Sequence, residues 1–350
     1  MAFIDALKDR PNNTFTLCPG NAINLPCYDL GRVDGDVGIE LEIEGTNLPA
    51  GPTLADIIAP TSRAVWLVKP DGSLRGGLEF VTSGPIKTSE VRHMVGGLFD
   101  RFKRQGTVIN NSNRCSTHIH VNVSDLKVNT ITSALALWCT FQTCFIRWCG
   151  EERVNNHFCL STRDEESMPE AWLDFLMNGQ RSTARHRANV KYTALNIIPI
   201  WSQGSLEFRC GSAADEPDKV VYWAKICNAI VRYAAEHFNN PLELGYALSE
   251  QGPEGLLRRV LLFAKLGETT TDRIYNELTA DGRLHIDAMD DFRDVQAFLY
   301  SIPWEEVLPA INAEYVPNPF EKQKTPSVLP PIERFVFDAI APAPAPREDF

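Results

Sequence analysis

Val37-Gly38-Ile39-Glu40-Leu41-Glu42-Ile43-Glu44 alternates apolar and acidic residues over its whole length. A period of two is that of a β-strand, so Ile39, Leu41 and Ile43 share one face, expected to pack under helices, and Glu40, Glu42 and Glu44 share the other. Neither lysine nor arginine interrupts the acidic row. Like charges at neighbouring positions of one sheet face are each unfavourable by up to about 1 kcal/mol unless a cation lies against them. On this stretch alone, the solvated side of an antiparallel sheet is the simpler reading and a cation-binding face is the other.

Downstream segments place complementary chemistry on the same kind of face. Ala64 to Lys69 reads as a strand, Pro70-Asp71-Gly72-Ser73 as a turn joining antiparallel strands, and Gly76 to Val81 as a further strand with Glu79 opposite Leu78 and Phe80. In Thr117-His118-Ile119-His120-Val121-Asn122-Val123 the alternation puts His118, His120 and Asn122 on one side. A histidine in a strand is commonly a hydrogen-bonded structural residue, but two of them at H-x-H spacing on one face are also a metal-binding geometry. Lys191 to Ile198, containing Asn196, and Ser205 to Cys210 complete the strands, with Glu207 and Arg209 sharing a face.

Around these strands the spacing is helical. Val91, Val95, Leu98, Phe99 and Phe102 define an amphipathic helix within 83–106, and further helices are expected at 129–149, 168–178 and 215–238. Glu216-Pro217-Asp218 supplies the acidic, proline-bearing first turn of the last of these. Beyond residue 239 strand signals stop, and helices are expected at 256–266, 292–300 and 305–315. The expected organisation is an N-terminal arm (1–33), a catalytic core (34–238), a helical portion (239–316) and a Pro-rich tail (317–350). A basic cluster of Arg181, Arg185, His186, Arg187 and Lys191 reads as a solvated loop or an anion site.

With 350 residues, 44% of them hydrophobic, the chain can bury a full core. Its net charge of -11 argues against general affinity for nucleic acid or anionic membrane. The most apolar window, 131–149, is interrupted by polar residues and reads as a buried helix rather than a membrane span. Nine cysteines without C-x-x-C pairing, and an N-terminus lacking a secretory pattern, point to a reducing compartment, the cytoplasm.

The strand-face candidates are Glu40, Glu42, Glu44, Glu79, His118, His120, Glu207 and Arg209, with Lys69 and Asn196 close in pattern. Carboxylates with one or two imidazoles suit magnesium or manganese, whereas structural zinc calls for cysteine and histidine sets. Several carboxylates suit more than one ion, and two divalent ions clamp phosphoryl oxygens during transfer. Arg209 adds a fork for phosphate or carboxylate oxygens. The sum is a phosphoryl-transfer site without the glycine and lysine spacing of a phosphate loop.

The order of these motifs, an acidic E-x-E strand, a lysine before Asp-Gly-Ser, G-x-E, H-x-H, Lys-Tyr-x-x-Leu-Asn and E-F-R, resembles the amidoligase family of carboxylate–amine ligases over residues 36–212. That family is related to glutamine synthetase and glutamate–cysteine ligase. The resemblance implies an α+β fold in which a curved antiparallel sheet carries helices on its convex face and binds magnesium ions and ATP on its concave one. It implies Glu40, Glu42, Glu79 and Glu207 as metal-site residues with His118 or His120 at the histidine position, and Arg209 as the group that stabilises the transferring phosphoryl, with Lys69 and Glu207 beside it in the catalytic set. Lys69, Lys191, Asn196 and Arg209 become the expected ATP contacts. A substrate carboxylate activated as its acyl phosphate and attacked by an amine, either from an amino acid or peptide, is the implied reaction. The rival reading is a structural or assembly protein, of the phage-related kind, that keeps the fold and binds cation or nucleotide without turnover; a metal-dependent hydrolase acting without ATP is a third.

Overall fold

Alternation in 37–44 yields the strand it predicts, and the sheet is assembled on both of its edges. The computed structural model describes residues 35–162, 165, 168–178 and 190–302. In chain order the elements are β1 (Val37–Thr46), β2 (Trp66–Pro70), β3 (Gly77–Thr82), α1 (Val91–Gln105), β4 (Val108–Ile109), β5 (Thr117–Asn122), α2 (Val128–Cys149), α3 (Met168–Asn178) and β6 (Leu195–Asn196). They continue with α4 (Ile200–Gln203), β7 (Ser205–Gly211), α5 (Pro217–His237), α6 (Glu243–Phe263), α7 (Glu268–Thr279) and α8 (Leu284–Ser301). The fold is α+β, with one seven-stranded antiparallel sheet in the order β2-β3-β1-β5-β7-β6 and β4 paired to the end of β1.

The apolar side of this sheet is the core. Ile39, Leu41 and Ile43 are wholly buried, and each such side chain taken from water contributes roughly 1.5–3 kcal/mol. Phe208 of β7 meets Trp138 of α2 edge-on at 5.1 Å and Trp223 of α5 at 6.3 Å, while Phe80 of β3 meets Phe102 of α1 at 5.3 Å. Three helices are therefore fixed to one side of the sheet, and the acidic residues point to the other.

Local chemistry sets the element ends. The Asp71 carboxylate accepts from the Ser73 amide at 2.7 Å, closing the turn between β2 and β3. Gly106, at a φ of 68°, ends α1 in the left-handed conformation that glycine tolerates. Pro217 and Asp218 occupy the first turn of α5, and α6 kinks at Gly252-Pro253.

Some elements differ from the sequence expectation. Residues 83–90 are not helical, because Ile86 bridges to Val37 and Asp36 accepts from both the amide and the hydroxyl of Thr88 at 2.8 Å. The strand expected at 191–198 shrinks to Leu195–Asn196, with a 3-10 turn at Val190–Tyr192 before it. Helices α6, α7 and α8 pack back on the first core: Asp291 of α8 accepts from the amide and hydroxyl of Thr143 in α2, and Arg147 of α2 pairs with Asp287. One buried apolar cluster runs from Val37 to Ile302. The described residues fall within a compact unit bounded by residues 1 and 314. None of their helices is long and apolar enough to cross a membrane. The N-terminal arm, the basic residues Arg181, Arg185, His186 and Arg187, the helix expected at 305–315 and the Pro-rich tail lie outside the described residues.

Candidate active site

Strand register brings the polar candidates into rows. Glu40 of β1 lies directly across from His118 of β5, Glu42 across from Glu79 of β3, and His120 across from Glu207 of β7, which faces Asn196 of β6 on its other side. Side chains separated by up to 167 positions, Glu40 to Glu207, thus share one surface. A shift of register between Thr117 and Ile119 leaves both Arg209 and Cys210 opposite His118. Such a bulge bends its strand and re-aims the side chains there.

The tightest group is Glu40, His118 and Glu207, whose donor atoms all lie within 4.8 Å of one another. His118 Nδ1 is 2.7 Å from Glu40 Oε1 and 3.4 Å from Glu207 Oε1. Glu207 is held from two further directions: Arg209 Nη1 donates to Oε1 at 2.5 Å and Asn196 Nδ2 to Oε2 at 2.5 Å. Arg209 Nε donates to the Phe158 carbonyl at 3.2 Å. His120 lies at the edge of the group, with Nδ1 3.1 Å from the Ser205 hydroxyl and Nε2 3.8 Å from Glu40 Oε2.

Glu42 joins through an intermediary. The Ser116 hydroxyl donates to Glu42 Oε2, and its oxygen lies 2.7 Å from His118 Nε2. His118, 1% exposed, is therefore engaged at both ring nitrogens and fixed in orientation. Sequence reading missed Ser116, although it lies two residues before His118 and falls on the same strand face by period two.

Burial and charge act against each other here. Burial pushes the Glu40 carboxyl up, but the charges and hydrogen bonds of His118 and His120 outweigh it and hold this acid well below the usual carboxylate range. Burial likewise raises Glu207, and Arg209, His120 and His118 bring it below its ordinary value. Burial would lower Arg209, but Glu207, Glu40 and Glu42 keep it firmly charged. His120 is disfavoured as a cation by burial, yet raised overall by Glu40 and Glu207. Glu42 and Glu79 lack so strong a partner: burial raises both, and the charge of Glu40 adds to the effect.

The remaining candidates lie further out. Lys69 Nζ pairs with Glu79 Oε1 at 3.2 Å, one strand beyond Glu42. Glu44 accepts from the Arg75 amide at 2.6 Å and so ties β1 to the tip of the β2–β3 turn. Lys191 is exposed in its 3-10 turn, its ammonium 4.6 Å from the centre of the Tyr192 ring rather than at the cluster.

Two carboxylates and one imidazole around a common point form an oxygen-rich donor set of the kind that suits magnesium or manganese. His118 Nδ1 is directed at both acids, and their negative charge is concentrated where an ion would sit. Fold and site together define an α+β protein that carries helices on one side of an antiparallel sheet and an acid–imidazole–guanidinium site on the other. Residues 72–231 match the family described as "putative amidoligase enzyme". The matched segment contains Glu79, His118, His120, Lys191, Asn196, Glu207 and Arg209, whereas Glu40, Glu42 and Lys69 precede it. Among curated proteins, none matches the chain.

Proposed function

We propose that this protein is an ATP-dependent carboxylate–amine ligase with a glutamine-synthetase-like sheet, acting in the cytoplasm on small carboxylates and amines such as amino acids or peptides. The observation that carries the reading is the convergence of Glu40, His118 and Glu207 with Arg209 on one sheet face, together with the family match. In this reading Glu40, His118 and Glu207 would hold one divalent ion. Glu42 and Glu79, opposed in register and both raised by burial, would serve a second, with His120 at the margin. When bound, magnesium or manganese would neutralise the oxygens of the transferring phosphoryl group.

Arg209 remains cationic at every working pH and stands ready to stabilise charge on that group. Glu207 and the Phe158 carbonyl fix its guanidinium in place, and Asn196 steadies Glu207 in turn. Lys69 and Asn196 lie on either flank as nucleotide contacts, with Lys191 as an outer one. The substrate carboxylate attacks the γ-phosphorus, ADP departs and an acyl phosphate forms. The amine then attacks the acyl carbon, phosphate leaves, and the amine proton passes to a carboxylate of the acidic row or to water.

The test is ADP release with Mg-ATP over a matrix of carboxylates and amines. One pair should give ADP, phosphate and amide in equal amounts, and Arg209→Ala should lose at least about a hundredfold in rate. Turnover that is the same in the Arg209→Ala protein would remove the basis for the proposal.

A further inference from the structure

Arg153 follows α2 in a 3-10 turn at Glu151–Arg153 and is 1% exposed, one of the largest fully buried side chains in the structure. Its Nη2 donates to the backbone carbonyl of Arg209 at 3.0 Å, while Nε and Nη1 have no hydrogen-bond partner among the described residues. No carboxylate among the described residues forms an ion pair with it. Its neighbour Cys159 has a thiol pushed up to about 11 by burial, against the opposing charge and side-chain hydrogen bond of Arg153. A guanidinium buried this deeply without a carboxylate partner is unfavourable to the fold, so what Arg153 holds matters more than what it adds to stability.

The bond that Arg153 does make falls where the sheet is irregular. The β5–β7 register slips at this point and leaves Arg209 with Cys210 across from His118; local ladder disruption is the usual cost of a bulge. The same segment grips Arg209 a second time, since the Phe158 carbonyl accepts from Arg209 Nε at 3.2 Å. The two contacts hold the backbone and the side chain of one residue from a single stretch, 153–158. The Arg209 guanidinium is turned toward Glu207, with Nη1 donating to Oε1.

We infer that Arg153 is a positioning residue that pins the Arg209 bulge so that the Arg209 guanidinium meets the phosphates of the bound nucleotide. This rests on the role given to Arg209 in the proposed function. Arg153 touches neither substrate nor nucleotide and acts through Arg209 alone.

A double-mutant cycle on the full chain tests it, with the dissociation constant of a magnesium-bound, non-hydrolysable ATP analogue measured by calorimetry. Arg153→Met should weaken binding about tenfold or more while leaving the melting temperature without ligand the same or higher. In the Arg209→Met background the same change should have no further effect, since coupled residues are non-additive. Equal losses of affinity in both backgrounds, or full affinity in Arg153→Met, would overturn the inference. Failure of the unsubstituted protein to bind the analogue would instead overturn the proposed function. If Arg153→Met does not fold, Arg153→Lys replaces it: a smaller loss that vanishes with Arg209→Met supports the inference, and an additive one refutes it.

Discussion

Glu40 and His118 are direct partners in the β1–β5 register, and Glu40 Oε1 lies 2.7 Å from His118 Nδ1. The most acidic strand of the chain and its H-x-H strand are thereby joined at one point, to which β7 adds Glu207 and Arg209. The self-repulsion written into Glu40, Glu42 and Glu44 is relieved in three ways: by imidazole at Glu40, by the Ser116 hydroxyl at Glu42 and by the Arg75 amide at Glu44.

Ser116→Ala is expected to destabilise the protein by about 1–3 kcal/mol, because it leaves Glu42 Oε2 and His118 Nε2 buried without their shared partner. Urea titration measures this directly. Unchanged stability would mean that the hydroxyl bridges nothing of consequence.

Gly211→Ala should cost about 1–3 kcal/mol by overpacking. A Cβ on Gly211 would lie 2.4 Å from the Thr117 carbonyl and 2.7 Å from Trp223 Nε1, and the backbone atom cannot yield as a flexible side chain would. A melting temperature equal to that of the parent would contradict the close approach of β7, β5 and α5 at this point.

Alkaline pH should destabilise the fold through its buried thiols. Burial pushes Cys139 and Cys144 up to about 12 from an ordinary 9.0. Between those values the unfolded chain loses protons that the folded chain keeps, so the contribution is intact below about pH 9 and lost as pH rises toward 12. The loss is on the order of 1 kcal/mol per pH unit per thiol. Urea midpoints at about pH 8 and about pH 10.5 should differ less in a Cys139→Ala/Cys144→Ala protein than in the parent, and equal differences would count against this.

Period-two alternation made β1, β3, β5 and β7 readable, and it also told which residues share the acid-bearing side. Glu40, Glu42, Glu79, His118, His120, Glu207 and Arg209 were therefore visible as a set. Which of them touch was not, because strand order is a tertiary property: only the neighbours β3-β1-β5-β7 bring Glu40 to His118 and Glu207. Arg153 was hidden at the end of an apolar helix, where a charged residue reads as the solvated exit of that helix. The bulge that makes Arg153 matter has no local signal in Glu207-Phe208-Arg209-Cys210. Lys191 read as a strand neighbour of Asn196, but the 3-10 turn at 190–192 breaks the alternation between them.

The account depends on Glu40, His118 and Glu207 jointly holding a cation that presents a nucleotide to Arg209, and scanning calorimetry with and without Mg-ATP is the most direct measurement of it. Ligand at 100 times its dissociation constant adds about 2.7 kcal/mol, so the unfolding temperature of the parent protein should rise by several degrees. Glu40→Ala and Glu207→Ala should each abolish the rise while still unfolding cooperatively without ligand. A parent protein indifferent to saturating Mg-ATP, or variants that keep the full rise, would contradict the account.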